Sequence, residues 1–192
     1  MAKRLTYAMV GGGPDGFIGD AHRRAIGLDG TAAIAAGVFS RNREKSLQMA
    51  ESLGISPDRC YEDYQTMARA EGEREDGIDF VTVVTPNQSH YEICRAFLEA
   101  GIHVVCDKPV TTTYRQAKEL EALAEDKGLL FMVTYTYMGY VTAKYARELV
   151  ASGAIGEVRT VMAEYPQAGL PLRTISGENR ESGAATPVSQ AE

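Results

Sequence analysis

Three short stretches carry residue types and spacings that could do chemistry. The first is "AMVGGGPDGFIGDAHRRA", a glycine-rich turn that follows an apolar run and opens a helical pattern. Gly11, Gly13 and Gly16 fit the spacing GxGxxG; a second alignment takes Gly19 as the third glycine, in a longer loop. Glycines there permit a tight turn and close approach of backbone to a pyrophosphate, and a helix N-terminus offers the anion free N–H groups and partial positive charge. Phe17 and Ile18 open that helix beside the anion. A GxGxxG alone is weak; between a strand and a helix it reads as a dinucleotide-binding turn. A side chain at Gly13 would stand in the ligand's approach path. The second stretch is "VFSRNREK". About twenty residues past the glycine turn, a ribose-binding site would place a carboxylate; here Ser40 and Arg41 stand instead. A hydroxyl and a guanidinium suit a 2′-phosphate, so NADP(H) is the expected cofactor, with NAD(H) a possible second. Arg43 reads equally well as a solvated helix start. The third stretch is "VVCDKPV". It sets Asp107, Lys108 and Pro109 at the end of an apolar run and raises the question of what a lysine does there.

These residues need strands that end at them. Apolar runs at 5–10, 32–39, 79–84, 102–106 and 129–135 read as strands buried on both faces. Between them, helical stripes run over 42–53, 88–100 and 113–127, ending at Gly54, Gly101 and Gly128. Alternation of this kind predicts an α/β fold, a doubly wound parallel sheet of the Rossmann type. Ligands in such sheets lie beyond the C-terminal strand ends, which places Thr85, Pro86, Asn87 and His90 of "VVTPNQSHYEI" along the cofactor. Taken alone, a histidine at position 90 is more often a helix-surface residue than a catalytic one. His22 and His103 read as structural.

Composition limits the alternatives. The 192 residues carry a net charge of −6, so no basic field argues for nucleic acid. No stretch reaches the length of a membrane span. The start, "MAKRLTYAMVGGG", makes a poor signal peptide. Three cysteines without CxxC spacing fit a reduced, cytoplasmic setting, and no histidine–carboxylate set has metal-ligand spacing.

Together, "GGGPDGFIGDAHRRA", "TPNQSHYEICRAFLEAGIHVVCDKPV" and "ARELVASGAIGEVRTV" resemble the glucose–fructose oxidoreductase and inositol dehydrogenase family, Gfo/Idh/MocA. The resemblance spans roughly residues 5 to 165. It implies an NAD(P)-dependent oxidoreductase acting on a sugar, cyclitol or polyol, with an N-terminal Rossmann domain and a C-terminal α/β domain. By that resemblance "CDKP" matches the family's Glu-Lys-Pro motif, with Asp107 in place of glutamate. Lys108 then lies beside nicotinamide and substrate and helps move the hydroxyl proton, and Pro109 fixes the turn, in many relatives through a cis peptide. The physics agrees: partial desolvation and nearby positive charge lower a lysine pKa. A loop ion pair of Asp107 with a neighbour is the plainer alternative. Relatives carry asparagine near position 136, where this chain has Thr136; Tyr135 and Tyr137 are expected near the nicotinamide.

The resemblance divides the chain into a Rossmann domain (1–138) and the start of a second domain (139–165), where 139–152 read as a helix and 156–165 as a strand; residues 166–192, with no aromatic residue and few large apolar groups, read as a disordered tail. It also implies that the rest of the second domain, with its acid–base aspartate and histidine, is missing. Expected from this are doubtful turnover and self-association, as a dimer, through 139–165. A non-catalytic NADP(H)-binding module or sensor is the alternative. An S-adenosylmethionine or nucleotide-sugar binder is weaker, having no need of the lysine.

Overall fold

Five short runs rich in valine and alanine form one parallel sheet, because each can bury both its faces only between two layers of helices. A computed structural model of the chain describes residues 3–164. The chain divides into two compact units, Met1–Thr134 and Tyr135–Glu192.

In the first unit the strands are β1 (Leu5–Gly11), β2 (Ala32–Val38), β3 (Phe80–Val84), β4 (His103–Cys106) and β5 (Phe131–Val133), in the order β2-β1-β3-β4-β5. All four pairings are parallel. The helices are α1 (Phe17–Gly27), α2 (Arg43–Ser52), α3 (Tyr64–Glu73), α4 (His90–Glu99) and α5 (Tyr114–Asp126). The winding reverses between β1 and β3, which opens a crevice at their C-terminal ends. The expected doubly wound Rossmann-type sheet is therefore present, with every expected strand and helix of this unit within a few residues of its place.

Two apolar layers sandwich the sheet. On one face Val10, Val81, Val83 and Val104 pack with Met67 of α3, Phe97 and Leu98 of α4 and Leu120 of α5. On the other, Tyr7, Met9 and Phe39 pack with Ile18 and Ile26 of α1 and Ala50 of α2. Full burial of side chains of this size contributes about 1.5–3 kcal/mol each. Asn42, Asp63 and Thr113 cap α2, α3 and α5 by accepting from Lys45, Thr66 and Gln116 backbone N–H groups.

The second unit, as described, holds a 3-10 turn (Thr136–Gly139) and helix α6 (Val141–Ala151), close to the expected helix at 139–152. The expected strand at 156–165 is not formed over its described part: residues 157–164 are irregular and, among the described residues, pair with no strand. A strand exists only by its ladder partners, and a run of β-prone residues does not supply them. The expected tail at 166–192 lies outside the described residues. Among the described residues, no helix is long and apolar enough to cross a membrane.

Candidate functional site

The glycine turn has no space for side chains. Gly11 and Gly12 take φ of 90° and 68°, which favour glycine. A Cβ at Gly11 would stand 2.9 Å from the Val84 carbonyl oxygen, and one at Gly13 only 2.5 Å from that of Phe39. The loop is thus threaded between the ends of β2 and β3, and a side chain at Gly13 would strike Phe39 as well as any ligand. Gly16 is the N-cap of α1, without a side-chain cap, and its N–H donates to the Gly13 carbonyl at 2.9 Å. The first-turn N–H groups of Phe17, Ile18 and Gly19 are left for an anion. Side chains play no part there: Phe17 points to solvent, 91% exposed, and Ile18 packs into the core. Gly19 takes the close-packing role, buried against Gly12. The fingerprint is therefore the longer loop, with Gly16 as cap rather than packing glycine.

Arg23, one turn beyond Gly19, donates from Nη1 to the Gly12 carbonyl at 2.8 Å and holds the turn from below. Sequence reasoning passed over it. The available signal was its position on the same helix face as Gly19, four residues on.

A cleft of about 470 Å³ opens above this turn. It gathers Gly11, Gly13, Gly16, Ser40, Arg41, Thr85 and Pro86, as expected of a ligand site at a strand-order reversal. The Arg41 side chain is exposed, while Ser40 Oγ accepts from the Asn42 N–H at 3.1 Å. Arg43 turns away and donates to the Cys60 carbonyl at 2.6 Å, so it braces the fold. Sequence reasoning missed Glu62, Asp63, Tyr64 and Gln65, which line the same cleft from the start of α3. Two carboxylates therefore accompany Arg41 there, although β2 itself ends without one.

At the other end Thr85, Pro86 and Ser89, after β3, line the cleft, whereas Asn87 and the residues after β4, Asp107, Lys108 and Pro109, are not among its lining residues. Ser89 Oγ donates to Thr85 Oγ1 and lies 2.7 Å from the Pro86 carbonyl, and Asn87 opens a 3-10 turn (Asn87–Ser89). His90 does not line the cleft: it is fully buried beneath it. Its Nε2 lies 2.7 Å from the Thr85 carbonyl oxygen and its Nδ1 2.8 Å from that of Pro109. An apolar helix face drew the residue inward, and two main-chain carbonyls satisfy it there. Neither the expected cofactor contact nor a surface position holds for its side chain.

Asp107, Lys108 and Pro109 follow β4, and the Lys108–Pro109 peptide is cis. Asp107 Oδ1 accepts from the Lys108 N–H at 2.8 Å and from Thr134 Oγ1 at 2.9 Å, and His22 Nε2 lies 3.9 Å away. Burial alone would raise the carboxyl pKa. The facing His22 imidazole, with hydrogen bonds from the Lys108 N–H and Thr134, outweighs it and holds the pKa down at about 2. The aspartate is thus engaged by backbone, hydroxyl and imidazole, and among the described residues it makes no ion pair with the exposed Lys108 side chain. His22 was read as structural; it faces Asp107 from α1. His103 is structural, its Nδ1 accepting from the Leu130 N–H at 3.0 Å. Tyr135 and Tyr137, expected near the nicotinamide, belong to the second unit.

The cradle fits a dinucleotide: two left-handed glycines, a third with no room for a Cβ, and uncapped helix N–H groups share one crevice. Residues 5–135 match a family model, Gfo/Idh/MocA, described as an oxidoreductase family with an NAD-binding Rossmann fold. The "Uncharacterized oxidoreductase YfiI" of Bacillus subtilis is 42% identical over 166 residues, which cover 86% of this chain and 42% of that protein. Among solved structures, an inositol dehydrogenase homolog of Azotobacter vinelandii complexed with NADH and myo-inositol has 42% identity and a TM-score of 0.79. That match covers 83% of this chain and 42% of the other. An oxidoreductase of Pseudomonas syringae matches with 42% identity and a TM-score of 0.78, over 83% of this chain and 44% of its own. The chain spans less than half the length of each of these relatives.

Proposed function

This chain belongs to the Gfo/Idh/MocA oxidoreductase family, and from that premise we propose that it binds NADP(H) in preference to NAD(H) for hydride transfer to and from a sugar, cyclitol or polyol. The observation that carries the reading is the convergence, in one crevice, of the glycine turn, Ser40 with Arg41, and Thr85 with Pro86. The glycine turn and the α1 N–H groups would hold the pyrophosphate, Ser40 and Arg41 the 2′-phosphate, and the loops after β3 and β4 the nicotinamide end. Glu62 and Asp63 stand at the adenosine end, so the preference rests on Arg41 outweighing them.

When bound, the nicotinamide supplies the hydride chemistry. The chain's own contribution is placement and proton handling. Lys108, exposed after β4, would hold the substrate hydroxyl and, as the neutral amine, take its proton on the nitrogen lone pair as the carbinol is oxidised and its hydride passes to the nicotinamide; the ammonium so formed returns the proton in reduction. Asp107 fixes the lysine's backbone through the Lys108 N–H. The relative solved with NADH and myo-inositol supports a cyclitol-like substrate class.

Fluorescence titration with NADPH and NADH tests the binding half. A steady-state screen of polyols with NADP⁺ tests the catalytic half. Binding without turnover would favour the module or sensor reading; no binding of either nucleotide would overturn both. Self-association, as a dimer, is part of the proposal, and sedimentation at several concentrations tests it.

A further inference from the structure

Resting on that reading, we propose that His90 is a positioning residue, a doubly donating imidazolium that ties the loop after β3 to the loop after β4 and so sets the nicotinamide end of the cleft. His90 is the first residue of α4 and is wholly buried. Both ring nitrogens face carbonyl oxygens, Thr85 at 2.7 Å and Pro109 at 2.8 Å. A carbonyl oxygen only accepts. A neutral imidazole carries one N–H, so one of these contacts would set two lone pairs against each other; only the cation satisfies both. The cost of leaving a buried acceptor unpaired favours the cation.

The two carbonyls belong to the residues that matter. Thr85 lines the cleft, and Pro109 directly follows Lys108. The backbone of each loop is therefore pinned to the same ring. The neighbouring groups permit a charge there. Cys106 of β4 acts on His90 from the neighbouring strand, and its Sγ donates to the Asp107 carbonyl oxygen at 3.3 Å. Burial alone would lower the histidine pKa; Cys106 and the two carbonyls outweigh it and push it up to about 9. The role is distinct from that of Lys108: His90 touches neither cleft nor substrate, and acts through backbone.

Two measurements on the full chain test this. Nitrogen-15 NMR of histidine-labelled protein at neutral pH should show both His90 nitrogens protonated and slow to exchange; a ring with a single proton would overturn the clamp. Separately, His90→Gln should weaken NADP⁺ by about tenfold or more while 2′,5′-ADP, which lacks the nicotinamide half, keeps its affinity within about twofold. Equal losses for the two ligands, or no loss of NADP⁺, would overturn the positioning role. If His90→Gln does not fold, His90→Asn reads the same ratio. NAD⁺ against ADP gives the comparison for a chain that prefers NAD. Failure of unmodified protein to bind any of these nucleotides would overturn the proposed function instead, and the NMR result would still decide the clamp.

Discussion

Gly19 lies against Gly12 with no room for a methyl group between them: a Cβ there would stand 2.3 Å from the Gly12 Cα and 3.0 Å from its carbonyl oxygen. Helix α1 approaches the glycine turn that closely, and this sets where its N-terminal N–H groups point. Gly19→Ala should therefore push the helix from the turn, destabilise the protein by about 1–3 kcal/mol and weaken NADPH binding. Gly27, the last residue of the same helix, has open space where a Cβ would stand, with no other described part of the chain within 4 Å. Gly27→Ala should stabilise by about 0.5–1 kcal/mol and leave binding unchanged. Thermal melts and titrations of the pair separate close packing from general helix effects; equal behaviour of the two variants would contradict the assignment.

Arg41 offers an exposed guanidinium at the end of the cleft lined by Ser40, Glu62 and Asp63. Arg41→Ala should weaken NADPH by about 1.5–3 kcal/mol, the worth of a charge-assisted hydrogen bond, and NADH by much less. Fluorescence titrations of the two cofactors read the difference. Parallel losses would show that the arginine does not read the 2′-phosphate.

Much of this was legible in the sequence, and the boundary has physical causes. The valine-rich strands announced themselves because burial on both faces leaves no polar alternation to confuse. Helix α3 was missed because "YQTMARAEGE" buries only Met67, Ala68 and Glu71. Glu71 is a carboxylate with no exposure, held by the Arg59 guanidinium and by the Tyr61 hydroxyl at 2.8 Å. A buried charge reads as polar until its partners, ten and twelve residues away, are placed. The glycine turn was legible as a motif, yet only the contact of Gly19 with Gly12 decided between two spacings. His90 fitted the right loop, but its burial depends on Pro109, nineteen residues on. Glu62 to Gln65 reach the cleft through tertiary packing, for which no local pattern exists.

Thr82, at the centre of β3, has a fully buried hydroxyl with no hydrogen-bond partner among the described residues. Its neighbours in the strand are valines. Valine has the same shape without the polar atom, so Thr82→Val removes a desolvation cost at no loss of packing. The variant should be more stable by about 1 kcal/mol, with cofactor binding unaltered. Chemical denaturation would show it as a higher midpoint at an unchanged slope. A lower midpoint would mean that the hydroxyl is satisfied in solution.

Asp107 gives the fold an acid-sensitive tie just after β4. Its carboxyl drops from an ordinary 3.8 to about 2 in the folded chain. A depressed carboxylate contributes stability that is fully present above the unfolded pKa and is lost as pH falls through the folded one. The window is therefore about pH 4 down to 2, and the size is about 2 kcal/mol for a shift of this extent on a side chain 17% exposed. Asp107→Asn keeps an acceptor for the Lys108 N–H and the Thr134 hydroxyl but loses the charge facing His22. It should melt lower than the unmodified chain near neutral pH, and the gap should close as pH falls from 4 towards 2. Other depressed carboxylates, Asp63 and Asp79 among them, titrate alike in both proteins and cancel in the difference. Melting curves at matched ionic strength across that range give the answer. A gap that stays constant with pH would show that the aspartate's charge adds nothing to the fold.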